Sequence, residues 1–173
     1  MSNFAIALQV VLQHEGGLSN VQHDFGGVSN CGISSQLLAS YLKQPVPASQ
    51  IIALDQKTIS DIYKKLFWDP MNLDSVTDQN LATVLFDLAV LLGVPRVSGF
   101  IQEVLNLHVD NILGSHSIAA INQFVSGDWL ACEVIFQAQL RFAEDCVKDT
   151  SQLKFIDGWL RRSQNLLGLV FKH

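Results

Sequence analysis

Charge is scarce in this chain: Asp, Glu, Lys and Arg make up 16% of its 173 residues, against 49% apolar ones. That balance excludes a disordered polypeptide and supplies a sizeable core for one compact domain, or a domain with a closely packed lobe. Basic residues are outnumbered, leaving a net charge of -5. Nucleic-acid binding, which needs a basic face to offset phosphate, is therefore not expected, and the acidity weakens any unaided attraction to an anionic cell wall. Cysteine is sparse too. Cys31, Cys132 and Cys146 are widely spaced, and with no CxxC or paired zinc spacing they read as three ordinary thiols in a reducing compartment. Long apolar runs are missing: the longest, Leu81 to Val94, is interrupted by Asp87 and is too short for a bilayer, so it reads as a buried helix and no membrane insertion is expected. The first residues lack the charged start and uninterrupted apolar stretch of a secretory signal, so synthesis in the cytoplasm is expected. Neither GxxxxGK[ST] nor GxGxxG occurs, which removes phosphate binding as the purpose of the glycines.

What is present has helical period nearly throughout. Phe4, Leu8, Val11 and Leu12 share one face and predict a helix that runs into Glu15 and stops at Gly16-Gly17. Ser34 can cap a short helix carrying Leu37, Leu38 and Tyr41, which ends before a linker at Pro45 and Pro47. Asp55 can cap the next, with Ile59, Ile62, Tyr63, Leu66 and Phe67 on one face and Trp68-Asp69-Pro70 closing it. A nearly all-round apolar helix from Leu81 to Leu92 belongs at the centre, and Pro95 suits the first turn of its successor. Val109 to Gly114 reads as a turn; Ser115 and Asp128 then start two helices, and a last one spans Leu153 to Val170. An extended piece fits only Val28 to Ile33. The fold class is mainly α, with one glycine-rich functional loop after the first helix.

That loop carries the chemistry. Glu15 stands at the negative end of a helix dipole with apolar side chains behind it, and both effects raise a carboxyl pKa, so Glu15 is the candidate general acid. A glycosidase also needs a group that activates water or supports positive charge opposite the acid. Asp24 with the Ser29 hydroxyl can supply it, and Gly26 and Gly27 allow the loop to turn tightly against a sugar.

The ordered set His14-Glu15-Gly16-Gly17, Asp24-x-Gly26-Gly27-x-Ser29 and Gly32-Ile33-Ser34 resembles the opening signature of glycoside hydrolase family 108. These are lysozyme-like muramidases of phage endolysins and bacterial secretion activators. The resemblance continues through Ile62-Tyr63, Phe67-Trp68-Asp69-Pro70 and Leu85-Phe86-Asp87-Leu88-Ala89-Val90. The second half is similar to the family's helical peptidoglycan-binding module, in Val109 to Gly114 and in Phe155-Ile156-Asp157-Gly158-Trp159-Leu160-Arg161-Arg162. The resemblance implies a lysozyme-like fold, with a muramidase region over 1–92 and a binding region over 93–173 packed against it. It implies hydrolysis of the β-1,4 bond between N-acetylmuramic acid and N-acetylglucosamine in peptidoglycan glycan strands, without a cofactor or metal. Glu15, Asp24 and Ser29 map to the catalytic positions. The enzyme would act in the periplasm or wall after lysis or export, through a holin or secretion-system partner. Ser29, Leu91, Asn111 and Ser115-His116 depart from the usual Thr, Asn, Gly and Pro-x; Asn111 is the next-best residue for a left-handed turn. A different class, a non-lytic wall-binding or partner-binding protein on a muramidase scaffold, is the alternative.

The remaining residues carry double readings. Trp68 either lines the cleft and stacks on a sugar or is core. Asp87, inside an apolar helix, is either a structural carboxylate satisfied by a buried partner such as loop amides or an Arg, or a direct helper of the site. Trp159 with Arg161 and Arg162 reads as packing plus a surface charge pair, or as a wall contact. His14 packs beside Glu15 or orients it, and a metal site of His14, His23 and Asp24 lacks any regular spacing.

Overall fold

The structure, a computed structural model, describes residues 1–20 and 28–172. Helix α1 (Phe4–Glu15) starts at Asn3, whose side chain accepts from the Ala5 and Ile6 amides, and ends at Gly16 with φ 73°. A small antiparallel sheet follows: β1 (Leu18–Asn20), β2 (Val28–Asn30) and β3 (Ile33–Ser34), with Ser29 opposite Ser19 on one side and Ser34 on the other. Only the extended piece of β2 and β3 was expected. The pairing of β1 with it escapes a reading by alternation because each strand is just two or three residues long.

Helix α2 (Ser35–Leu42) is capped by Ser34 as expected, and α4 (Gln56–Tyr63) by Asp55, whose carboxylate accepts from the Thr58 amide. Between them Pro47 is the N-cap of a short helix, α3 (Ala48–Ile52), directly after the expected Pro45 and Pro47 linker. Past Tyr63 the chain widens into a π-helical turn over Lys64–Trp68, then tightens into two 3-10 turns, Asp69–Met71 and Leu73–Ser75. Helix α5 (Gln79–Leu92) has every residue from Leu81 to Ala89 buried and is the axis of the molecule. It packs against α1, α6 (Val94–Val104), α8 (Gly127–Lys148) and α9 (Ile156–Val170). The expected catalytic and binding regions thus share this one helix.

Two expected starts move. Gly114, not Ser115, is the N-cap of α7 (Ser115–Gln123), with no side-chain bond there. The cap of α8 is Ser126, which accepts from the Trp129 amide, so Asp128 falls in the first turn instead. There its charge still complements the helix dipole. The last helix is shorter than expected, because Thr150–Phe155 forms a 3-10 segment before α9. Asn111 does take the left-handed conformation, at φ 64°. The buried Gln102 holds its turn, accepting from the Asn111 amide and donating to Asp110. The mainly α, lysozyme-like architecture is as the sequence implies. Among the described residues no helix is long and apolar enough to cross a membrane.

Against one flank of α5, Phe86 stands edge-on to Trp68 and Tyr63, with ring centroids at 5.4 and 6.2 Å, and Phe4 closes the cluster at 5.7 Å from Phe86. Edge-to-face rings add to the burial of their area. This cluster ties the start of α1 and the π turn to the central helix. Phe86→Ala is expected to destabilise by about 3–5 kcal/mol in urea unfolding; a loss below about 1 kcal/mol would mean the cluster bears little of the fold.

Candidate active site

Glu15 is the last residue of α1, and its side chain is 18% exposed. The expected apolar backing is not what surrounds it. Its Oε1 accepts from Arg162 Nη1 at 2.6 Å, a partner supplied by α9 and 147 positions away in sequence. The carboxylate is therefore one half of a charge-assisted pair.

Arg162 is itself anchored below. Its Nε donates to Asp87 Oδ1 at 2.6 Å and its Nη2 to the Asp87 main-chain carbonyl at 3.3 Å. Asp87 has no exposed side-chain area, and its other oxygen, Oδ2, lies 2.7 Å from His14 Nδ1. The far ring nitrogen of His14 meets Asn165 Nδ2 at 3.4 Å. Burial works against the Arg162 charge, but Asp87 first and Glu15 next outweigh it, and the guanidinium is held even further up than usual. The partner that Asp87 needed is thus an Arg. Arg162, expected in a surface charge pair, is only 11% exposed. Taking away one member of a buried pair leaves the other uncompensated, at about 3–5 kcal/mol.

The other side of Glu15 is a hairpin tip. Cys31 and Gly32 join β2 to β3 with φ of 48° and 76°, and positive φ at both positions is what a type I′ turn demands. A Cβ built on Gly32 would stand 2.5 Å from Glu15 Oε2 and 2.8 Å from the Tyr63 hydroxyl. Only glycine lets the hairpin close over the carboxylate. Tyr63 donates to the Cys31 carbonyl at 2.7 Å. Burial, with the Glu15 charge beside it, keeps the Tyr63 phenol well above its ordinary range, so it remains a hydroxyl donor.

A groove of about 350 Å³ opens next to this cluster, lined by His14, Leu91, Lys154, Phe155, Trp159 and Arg162. A second hollow shares Leu91 and Trp159 and runs on towards Arg96 and Lys148. Trp159 lies against Phe142 in a stack at 5.1 Å, which fixes its ring. Among the described residues no three His, Cys, Asp or Glu side chains gather as a metal site.

Of the residues singled out in the sequence, Asp24, Gly26, Gly27 and His23 lie outside the described residues. Ser29 sits in the middle strand, β2, half-buried, and is not among the side chains bonded to Glu15. Trp68 is a correction. It has no exposed surface, its ring packs against Phe4 and Phe86, and its indole N–H is taken by Asp74 at 2.9 Å. No sugar can reach it. His14 does neighbour Glu15 in sequence, but its bond runs to Asp87. Sequence reasoning missed Arg162, Tyr63 and Gly32 as neighbours of Glu15. The usable signal was the lone buried carboxylate of Asp87, which required a cation from somewhere.

Residues 8–93 match the family model of glycosyl hydrolase 108. The span runs from within α1 to the end of α5 and holds Glu15, Gly32, Tyr63 and Asp87, whereas Arg162 lies beyond it. The solved structure of Brucella abortus SagA has the same fold, with a TM-score of 0.82 at 24% identity, covering 96% of this chain and 92% of that one. A search of curated proteins gave no match.

Tyr63→Phe removes the donor to Cys31 and leaves that carbonyl without its partner. The expected loss is about 1 kcal/mol in urea unfolding, with faster amide exchange confined to the hairpin. Unchanged exchange in β2 and β3 would show that Tyr63 does not hold the tip.

Proposed function

We propose that this protein is a peptidoglycan hydrolase of the muramidase type, cleaving the β-1,4 bond between N-acetylmuramic acid and N-acetylglucosamine with Glu15 as general acid. The observation that carries this reading is the placement of the Glu15 carboxylate. It is held between a hairpin tip and a buried guanidinium, in a segment matching the glycosyl hydrolase 108 model. Two carboxylates, Glu15 and Asp87, share one guanidinium. Glu15 is the exposed one of the two carboxylates and the one a glycosidic oxygen can approach.

Protonation of that oxygen by Glu15 makes the departing sugar a neutral alcohol, and positive charge develops on the other sugar's anomeric carbon. Asp24, with the Ser29 hydroxyl, is the proposed counterpart that steers water or supports that charge. Trp159 takes the sugar-stacking role that burial denies to Trp68, since it lines the groove next to Arg162. The glycan strand is the expected ligand of that groove. Access to the wall would come through a holin-like pore, a secretion system or lysis.

The test is incubation with purified sacculi and mass spectrometry of the released ends. New reducing muramic acid ends are expected, and Glu15→Gln should lower their release by about 100- to 10,000-fold with the fold intact. Anhydro-muramic ends would make the enzyme a lytic transglycosylase, and binding without products would favour the non-lytic scaffold. Gly32→Ala pushes a methyl group into the Glu15 carboxylate; activity should fall by about 100-fold from displacement of the acid. A wild-type rate for Glu15→Gln would remove Glu15 from the mechanism, and one for Gly32→Ala would show that the hairpin tip does not place the carboxylate.

A further inference from the structure

We propose that Arg162 is the positioning residue for Glu15, so that helix α9 completes the catalytic centre from outside the segment matching the hydrolase family; this rests on the reading of Glu15 as the general acid. Three donors of one planar guanidinium are committed at once. Nη1 goes to Glu15 Oε1 at 2.6 Å, Nε to Asp87 Oδ1 at 2.6 Å, and Nη2 to the Asp87 carbonyl at 3.3 Å. The fork is rigid, so fixing two of its nitrogens on α5 fixes where the third points. Asp87 cannot swing away to release it, because its second oxygen is held by His14 at 2.7 Å and the residue is fully buried.

Glu15 needs such a guide. It ends α1 where the chain turns out at Gly16, and a terminal glutamate has three rotatable side-chain bonds. The Gly32 tip limits Oε2 from one side, while Arg162 draws Oε1 from the other. Together they leave one orientation. The arrangement also ties His14 to its neighbour Glu15 indirectly: the residue before the acid locks Asp87, Asp87 locks Arg162, and Arg162 aims the acid. A lysine at 162 would keep the charge but has one nitrogen, which cannot hold Asp87 and reach Glu15 in the same geometry.

The experiment measures reducing-end release from sacculi by wild type, Glu15→Gln, Arg162→Ala and Arg162→Lys, with thermal unfolding as the folding control. For both Arg162 variants kcat is expected to fall by about 100-fold while KM stays within about threefold, the pattern of a misplaced catalytic group. Guanidinium chloride at tens of millimolar (about 50 mM, far below the molar range that unfolds proteins) should restore kcat of Arg162→Ala at least tenfold, and sodium chloride should not. If Arg162→Ala fails to fold, the kcat and KM of Arg162→Lys decide. Wild-type kcat in a folded Arg162 variant overturns the inference. So does a rate above wild type, which would make the contact a restraint on the acid, or a folded Arg162→Ala whose loss guanidinium does not relieve. A wild-type protein that releases no ends, by contrast, defeats the muramidase reading itself.

Discussion

One guanidinium shared by two carboxylates in a poorly solvated interior sets the terms for the rest of this molecule. The Arg162 charge is tolerable there only because Asp87 neutralises it, and Asp87 is tolerable inside an apolar helix only because Arg162 and His14 take up its oxygens. Neither residue can be buried without the other. Their mutual need draws the first, fifth and ninth helices to one point, and Glu15 is the exposed end of the chain of bonds that results. Specific pairing of this kind adds little net stability compared with an apolar replacement, but it determines which partner packs where.

The central helix α5 supplies the background against which that pairing works. Its buried face and near-continuous apolar sequence leave Asp87 as the single charged residue of the helix. On one flank the rings of Phe4, Tyr63, Trp68 and Phe86 interlock edge-on, and the same Tyr63 reaches up to the hairpin. Packing and chemistry are thereby joined through one side chain. The apolar end of Tyr63 belongs to the core, and its hydroxyl belongs to the site.

Local physics was legible in the sequence wherever a single residue type decides the outcome. Gly16 and Gly93 end helices, Ser34 and Asp55 begin them, and Asn111 takes the left-handed turn. Glu15 stood out for its place at the end of an amphipathic stretch. What stayed hidden was long-range. No spacing rule relates Arg162 to Glu15, and its neighbour Arg161 is indistinguishable by type, yet one helical step of about 100° separates an exposed cation from a largely buried one. Trp68 misled because an aromatic at a helix end looks the same whether it faces solvent or the core; the π-helical turn that carries it inward has no sequence signature of its own. The three strands were too short to alternate, so the hairpin that closes on Glu15 was seen only as an extended piece.

The distance along the chain between Glu15 and Arg162 also has a consequence in time. A polypeptide emerges from the ribosome N-terminus first, and a domain folds as a unit once its parts have been made. Glu15 is therefore made 147 residues before Arg162. Until α9 emerges, the Arg162 guanidinium that pairs with both Asp87 and Glu15 in the complete chain is missing. A cluster built in this order is completed last even though Glu15 is synthesised early, so chains that stop short of α9 carry Glu15 without its ion-pair partner.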